Sequence, residues 1–206
     1  MRSLAKRALG GIALIAVLPA FVLYRLAAMV VGEEQAFPGW SQLFSLVPGV
    51  SGVFLRRAFY RLVLASCAPD ACLTFGTIFA HPGARVGRGV YVGAFCVLGE
   101  VVLEDDVLLA SHVSVTSGPR QHAIERLDIP IRQQKGTWQQ VTIGRDSWIG
   151  EHAVVMASVG RHCVIGAGAV VVKPIPDFAI AVGVPAKVIG YRRGYNPDEE
   201  ACQQPT

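Results

Sequence analysis

The side chains best suited to chemistry lie together in one polar stretch, residues 116–140. It contains a histidine, His122, among acidic, basic and aromatic residues: Glu125, Asp128, Arg132, Lys135 and Trp138. A neutral imidazole titrates near physiological pH, so a histidine in such a place can exchange a proton with a substrate. From position alone, His122 is as readily an exposed loop residue.

Cysteine chemistry is not indicated. The 5 cysteines are scattered, with no CxxC pair and no Cys/His pair at zinc-finger spacing. None has a general base beside it in sequence. An odd, scattered set argues against a disulfide scaffold and favours a reducing compartment.

A six-residue repeat flanks the polar stretch on both sides. Each copy starts with Leu, Ile or Val, and the second residue is mostly Gly. The first positions are Val86, Val92, Leu98, Leu103, Leu109, Ile143, Ile149, Val159 and Ile165. The fifth positions are small or β-branched: Val90, Cys96, Val102, Val107, Val113, Ser147, Ala153, Cys163 and Ala169.

One picture explains these rules. Each hexad forms a short strand and one corner of a triangular coil, and stacked turns bury a continuous core. The first residue fills the interior, the fifth points inward near a corner, and the second-position Gly supplies the freedom for the bend. The pattern predicts an all-β fold, a left-handed parallel β-helix over residues 75–192. A regular coil tolerates a long excursion such as 116–140 only at a corner.

With these repeats, the sequence resembles the hexapeptide-repeat acyltransferases, among them galactoside, maltose, streptogramin and bacterial exopolysaccharide O-acetyltransferases. The resemblance rests on the hexads, the loop 117–122 and the closing segments 165–176 and 181–189. It implies a homotrimer that transfers an acetyl group from acetyl-CoA to a sugar hydroxyl of a polysaccharide or lipid-linked glycan precursor. His122 matches the family's catalytic histidine, the general base. The candidates for orienting its ring are Glu125 and Asp128.

The resemblance also implies a set of cofactor-binding residues. Trp148, in the segment Trp148-Ile149-Gly150, lines the acceptor or cofactor groove together with Gly150, although an outward packing role fits Trp148 equally. Ala167 and Gly168 match the small residues beside the pantetheine arm, but corners of a β-helix favour small residues in any case. The cations placed to bind CoA phosphates are Lys173, Lys187, Arg192 and Arg193.

Other functions remain as alternatives. The acceptor can instead be a small xenobiotic or an amino sugar. Outside acyl transfer, the chain can be a non-catalytic β-helix scaffold. A metal-binding β-helix of the γ-carbonic anhydrase type is suggested by His112, His152 and His162, which all occupy the fourth hexad position. Their spacing does not resemble that of these zinc enzymes, so we expect no metal.

The N-terminal part of the chain is predicted to associate with a membrane. Residues 1–31 hold an uncharged run from Ala8 to Tyr24, close to the minimum for spanning a bilayer. Residues 32–74 form a linker and, over 54–64, a basic amphipathic helix that suits an anionic lipid surface or caps the coil. Its apolar face is Phe54, Leu55, Ala58, Phe59 and Leu62, and its arginines are Arg56, Arg57 and Arg61.

The chemistry decides between a spanning and a surface-bound N-terminus. Acetyl-CoA is a cytoplasmic metabolite, so the coil is expected on the cytoplasmic side of the inner membrane; a membrane-spanning N-terminus is the alternative. Residues 193–206 form a polar tail. A net charge of +4 is too small to indicate a nucleic-acid partner, and 52% apolar residues exclude general disorder.

Overall fold

A computed structural model describes residues 2–195 as three helices followed by a β-solenoid. The helices are α1 (Arg2–Val31), α2 (Glu33–Ser45) and α3 (Gly49–Val63). The predicted tail lies outside the described residues from position 196 onward. The coil makes about six turns.

The solenoid has three faces, each a sheet of stacked short strands. Face 1 contains β1 (Ser66–Cys67), β4 (Arg85–Val86), β7 (Val101–Leu103) and β10 (Val141–Ile143). Face 2 contains β2 (Cys72–Leu73), β5 (Tyr91–Val92), β8 (Leu108–Leu109), β11 (Trp148–Ile149), β13 (Val164–Ile165), β15 (Ala179–Val182) and β16 (Lys187–Tyr191). Face 3 contains β3 (Ile78–Phe79), β6 (Val97–Leu98), β9 (Ser114–Val115), β12 (Val154–Val155) and β14 (Val170–Val171).

Neighbouring strands of each face run parallel, except that β16 closes face 2 antiparallel to β15. Single bridges through Val159 and Ile175 continue face 1 above β10. The chain visits faces 1, 2 and 3 in turn, so the coil has a corner 1–2, a corner 2–3 and a corner 3–1. The predicted parallel β-helix of hexapeptide repeats is confirmed. It begins at Ser66 rather than at residue 75, because one further turn precedes the first clear hexad.

The interior follows the repeat. Every first-position residue is buried, as predicted, and so are the fifth-position residues with one exception. Val102 is only half-buried, whereas Val101 beside it is fully buried. Its repeat is one residue short, so the inward position moves back by one. Ser147 is satisfied inside the core: its Oγ donates to the carbonyl of Gly160 at 2.8 Å and accepts from the N–H of Cys163 at 2.9 Å.

The predicted reason for the second-position glycines is wrong. The bend is made at the fourth position, where φ is positive in every copy except the shortened one that starts at Leu98, for example 58° at Phe95 and 62° at Asp106. The second-position glycines are needed because the next turn lies directly against them. A Cβ on Gly93 would stand 2.5 Å from the backbone of Ala110.

We therefore expect Gly93→Ala to lower the free energy of unfolding by about 1–3 kcal/mol, because the added methyl forces two turns apart. Chemical denaturation followed by circular dichroism measures this. Gly190→Ala is the matched control, since a Cβ at Gly190 meets no heavy atom within 4 Å. Equal midpoints for the two variants would contradict the packing explanation.

The helices pack beside the first turns of the coil. α1 lies against α3 and α2, and α2 and α3 contact the first strands. Gly32, with φ 89°, turns the chain from α1 into α2, whose first turn carries Glu33 and Glu34 where the helix dipole favours negative charge. The segment 32–74 is therefore not only a linker: it contains α2, which was not predicted.

α3 matches the predicted amphipathic helix in its apolar face and in its exposed Arg61, but not in Arg56. Ala58 and Phe59 are buried, and Phe59 stacks on Phe44 of α2 with ring centroids 4.2 Å apart. Arg56, expected on the polar face, has no exposed surface. Its guanidinium is held by backbone carbonyls of α2, of the turn after it and of the coil, which the sequence pattern of α3 alone does not reveal.

Candidate active site

The polar loop leaves the coil at corner 3–1, between β9 and β10. Its two ends are tied together: the N–H of Gln139 donates to the carbonyl of Ser117 at 3.0 Å, and the N–H of Thr137 donates to that of Arg120 at 2.7 Å. Further out, His122 forms an antiparallel bridge with Lys135. The loop is thus a folded excursion with a defined backbone.

Two residues hold this fold inside the loop. A Cβ on Gly136 would lie 2.0 Å from the carbonyl oxygen of Gln121, so only glycine allows the return strand to pass the histidine segment. Gln134 is buried; its amide nitrogen donates to the carbonyl of Arg126 at 2.6 Å, and its amide oxygen accepts from the N–H of Arg126 at 3.1 Å. The position of His122 therefore depends on packing within the loop.

The imidazole of His122 is exposed, and within residues 2–195 it makes no hydrogen bond. The Glu125 carboxylate accepts from the N–H of Ile124, and Asp128 is paired with Arg126. Neither predicted orienting residue contacts the ring, because each acid is bound to a nearer donor. An exposed imidazole on a fixed backbone is accessible to a substrate hydroxyl.

A second histidine, His81, which the sequence analysis did not single out, lies at the same corner in the first turn of the coil. His81 follows β3, and the indole of Trp138 from the loop packs against its ring at 4.4 Å. Nδ1 of His81 lies 2.9 Å from Oε2 of Glu34 on α2, and Glu100 completes a group whose ligand-type atoms lie within 4.8 Å of one another. The group connects α2, the coil and the loop. Its members come from segments that are distant in sequence, so their spacing in the sequence does not predict the group.

The predicted cofactor residues are distributed over the coil. Trp148 on face 2 is half-exposed and lines a cavity of about 350 Å³ together with Arg192. Nη1 of Arg192 donates to Oδ2 of Asp146 at 2.9 Å. Hydrogen bonds from His162 and then from Arg192 hold the pKa of Asp146 below its usual range. This cavity lies at corner 1–2.

The other predicted cofactor residues lie outside this cavity. Gly150 is buried, and a Cβ there would stand 2.5 Å from the N–H nitrogen of Ala167, so its role in the structure is close packing between turns. Ala167 and Gly168 are exposed at corner 2–3, where a Cβ on Gly168 would meet nothing within 4 Å. Lys187 is exposed at the start of β16, and Lys173 is exposed after β14 at corner 3–1.

One chain therefore does not assemble the whole predicted site. His122 and Lys173 share corner 3–1, Trp148 and Arg192 share the cavity at corner 1–2, and Ala167 and Gly168 face solvent at corner 2–3. Arg193 lines a neighbouring cavity of about 280 Å³ with Arg192. The loop histidine and the cofactor residues at corners 1–2 and 2–3 lie on different edges of the triangular coil.

The three fourth-position histidines lie at two different corners of the coil. The rings of His112 and His152 stack at corner 2–3, with centroids 4.7 Å apart. His162 lies at corner 1–2, where it stacks on Phe178 and its Nδ1 lies 2.9 Å from Asp146. Successive turns explain this arrangement, because equivalent hexad positions stack into columns along an edge.

Comparison with known proteins places the chain in a family. A family model described as the hexapeptide repeat of succinyl-transferase matches residues 140–173. The galactoside O-acetyltransferase of Escherichia coli is 36% identical over 151 residues, which cover 68% of this chain and 70% of that protein. The chain belongs to the hexapeptide-repeat acyltransferase family.

Two further comparisons agree with this assignment. A probable acetyltransferase of Mycobacterium tuberculosis is 37% identical over 123 residues, which cover 57% of this chain and 40% of that protein. The chain thus spans less than half the length of this relative. A maltose O-acetyltransferase structure from Clostridium difficile superposes with a TM-score of 0.70 at 24% identity, covering 79% of this chain and 88% of that one, which supports the fold.

Proposed function

We propose that the protein is an acetyl-CoA-dependent O-acetyltransferase whose acceptor is a sugar hydroxyl of a polysaccharide or lipid-linked glycan precursor. The observation that carries the proposal is His122, exposed on an internally braced loop of a coil whose relatives include an O-acetyltransferase of galactosides. Serine acetyltransferases are also among the relatives, at 30% identity over 77% of this chain in one case. The acceptor hydroxyl of serine is therefore the competing class.

The proposed reaction is a direct transfer in a ternary complex. The imidazole of His122 accepts the proton of the acceptor hydroxyl while its oxygen attacks the thioester carbonyl. The tetrahedral intermediate collapses, the C–S bond breaks, and the CoA thiolate takes the proton back from the imidazolium. Backbone N–H groups at the coil edge are suited to stabilise the oxyanion.

The cysteines support direct transfer rather than an acyl-enzyme. Burial raises the pKa of Cys67 to about 12 and that of Cys96 to about 11. Burial also raises the pKa of Cys163. The thiolate is the nucleophilic form, so these thiols are poor candidates for carrying the acetyl group.

The proposed assembly is a homotrimer. It is supported by the separation of His122 from the cofactor residues at corners 1–2 and 2–3 within one chain, which a neighbouring subunit can bridge, as one repeated heterologous interface. Exposed apolar side chains on face 2, Tyr91, Leu108 and Trp148, suit such an interface. Sedimentation equilibrium of the detergent-extracted protein should give the mass of three chains, and a monomer would contradict the assembly.

The proposed location is the cytoplasmic side of the inner membrane, where acetyl-CoA is available. In residues 2–195, one helix segment is long and apolar enough to cross a bilayer, Ala8–Val31, with mean hydropathy 2.3. Because one side of α1 packs on α2 and α3, we favour attachment in the membrane surface, with a spanning helix as the alternative.

The test is calorimetric titration of the full chain in detergent with acetyl-CoA. We expect micromolar affinity, about −8 kcal/mol, and no comparable heat with acetate or pantothenate alone. A donor-binding assay needs no knowledge of the acceptor. Absence of binding by a folded protein would contradict acyl transfer and leave the scaffold alternative; binding justifies a screen of glycan acceptors against serine.

A further inference from the structure

Helix α1 packs against the protein with one side and leaves an apolar side exposed. The packed side carries Ala13, Val17 and Tyr24, with Leu14 and Phe21 partly buried. The opposite side is exposed and apolar: Leu9, Ile12, Ile15, Leu18, Val22, Leu23, Leu26, Met29 and Val30. A surface helix in water is polar on its exposed side, whereas α1 is apolar on its exposed side too, which suits contact with lipid.

A cavity of about 910 Å³ opens beneath this helix, between α1, α3 and the first turns of the coil. One wall is apolar, formed by Leu14 of α1 with Val53 and Phe54 of α3. Two adjacent glycines, Gly10 and Gly11, leave the α1 side open. The apolar wall is continuous with the helix that bears the exposed apolar face.

The other wall of the cavity is cationic. It contains Arg57 and Arg61 of α3 and Arg88 of the coil, and among the described residues Asp70 is the one carboxylate that lines it. Nη1 of Arg57 donates to the carbonyl of Ala71 at 3.3 Å, and its guanidinium stands over the ring of Phe54 at 4.8 Å.

Two of the three arginines in this wall, Arg61 and Arg88, are exposed and accessible to a ligand. Within the described residues, the side chains of Arg61 and Arg88 form neither a hydrogen bond nor an ion pair with the protein. Arg57 and Arg61 also stand four positions apart on one helix, a spacing at which like charges repel. A bound anion would relieve this repulsion and accept charge-assisted hydrogen bonds from the guanidinium groups.

We propose that this cavity binds an anionic phospholipid, with the phosphate at Arg57, Arg61 and Arg88 and the acyl chains along Leu14 and Phe54. The occupant is a lipid and not a free phosphate because half of the lining is apolar and adjoins the exposed face of α1. The proposal rests on the proposed membrane attachment, not on acetyl transfer. It gives the protein a preference for anionic membranes.

The probe is dihexanoyl-phosphatidylglycerol, a short-chain lipid that can be titrated calorimetrically into the full chain in detergent. Dihexanoyl-phosphatidylcholine and inorganic phosphate are the comparison ligands. We expect binding of the phosphatidylglycerol and at least about tenfold weaker binding of the other two, because one lacks net charge and the other lacks chains. Equal affinity for both lipids would overturn the proposal, and phosphate alone binding as tightly would overturn the lipid assignment.

Charge variants locate the site. Arg61→Gln and Arg88→Gln are each expected to weaken phosphatidylglycerol binding about tenfold, because each removes one charge-assisted donor. Arg85→Gln is the matched control: it is an exposed arginine on the adjacent strand that changes net charge equally but does not line the cavity. An equal loss in the control would show a general charge effect and refute the site.

A steric variant tests the cavity itself. A Cβ on Gly10 points toward Nη2 of Arg57, 3.9 Å away, so Gly10→Leu should fill the opening while keeping a residue that favours helix. Its control is Ala16→Leu on the exposed side of α1. Unchanged lipid affinity in Gly10→Leu would contradict the proposal.

Two separate measurements distinguish failure of the proposed lipid site from failure of the proposed membrane attachment. Cosedimentation of the wild type with phosphatidylglycerol vesicles reports attachment, and the short-chain titration reports the cavity. Acetyl-CoA titration of the same variants should be unchanged, because none of the cavity residues is among the predicted acetyl-CoA contacts. Loss of acetyl-CoA binding together with lipid binding would indicate unfolding and would not support the site.

Discussion

Replacement of His122 by alanine is expected to lower kcat for acetyl transfer about 10²–10⁴-fold, the usual contribution of a general base. The affinity for acetyl-CoA should not change, because the imidazole acts on the acceptor proton. The free energy of unfolding should also be unchanged, since the ring is exposed and unbonded in the described chain. Steady-state kinetics with an acceptor from the glycan screen, beside calorimetry with acetyl-CoA, separates these quantities.

His152→Ala is the matched control for this experiment. It removes another exposed histidine, one that stacks on His112 at corner 2–3, away from the loop. We expect it to retain the wild-type rate. A wild-type rate in His122→Ala, or an equal loss in both variants, would exclude His122 as the general base.

The largest stability effect is expected from Arg56→Met, which should lower the free energy of unfolding by about 3–5 kcal/mol. In the wild type, Nη1 of Arg56 donates to the carbonyls of Phe44 and Val47 at 3.0 and 2.9 Å, and Nε donates to that of Leu73 at 3.1 Å. Methionine has a similar length but leaves these buried acceptors without a donor. Urea denaturation measures the change.

Two variants control for this effect. Arg85→Met removes an exposed arginine and should change stability by no more than about 0.5 kcal/mol. Arg56→Lys keeps the charge but cannot reproduce the fork of donors, so its free energy of unfolding should lie between those of Arg56→Met and Arg85→Met. An Arg56→Met protein as stable as Arg85→Met would show that the carbonyls find other partners.

The repeat made the coil predictable because a hexad ties each side chain to an inward or outward direction. Only where the repeat lost a residue, at Val101 and Val102, did the inward position shift. The second-position glycines were correctly noticed and wrongly explained. A single sequence shows where glycine recurs but not that the next turn presses against it, which is a property of stacking.

Features formed between distant segments were not predictable in this way. Arg56 is polar by type, and its burial depends on carbonyls from α2, the following turn and the coil. The environment of His81 is formed by Glu34 and Trp138, which lie far from it in sequence, one before it and one after it. The loop histidine was found because a long interruption of a regular repeat is visible without any structure.

The three edges of the coil differ in whether they tolerate inserted or deleted residues. Corners 1–2 and 2–3 carry the left-handed fourth-position residues and their stacked rings, such as Phe95, His112 and His152, which stay aligned only if every turn has the same length. Corner 3–1 has no such column, and there the chain both shortens a repeat and extends the loop. New segments can therefore be grafted at this edge, for instance around Ala157, whereas one inserted residue at either other edge would misalign every later turn.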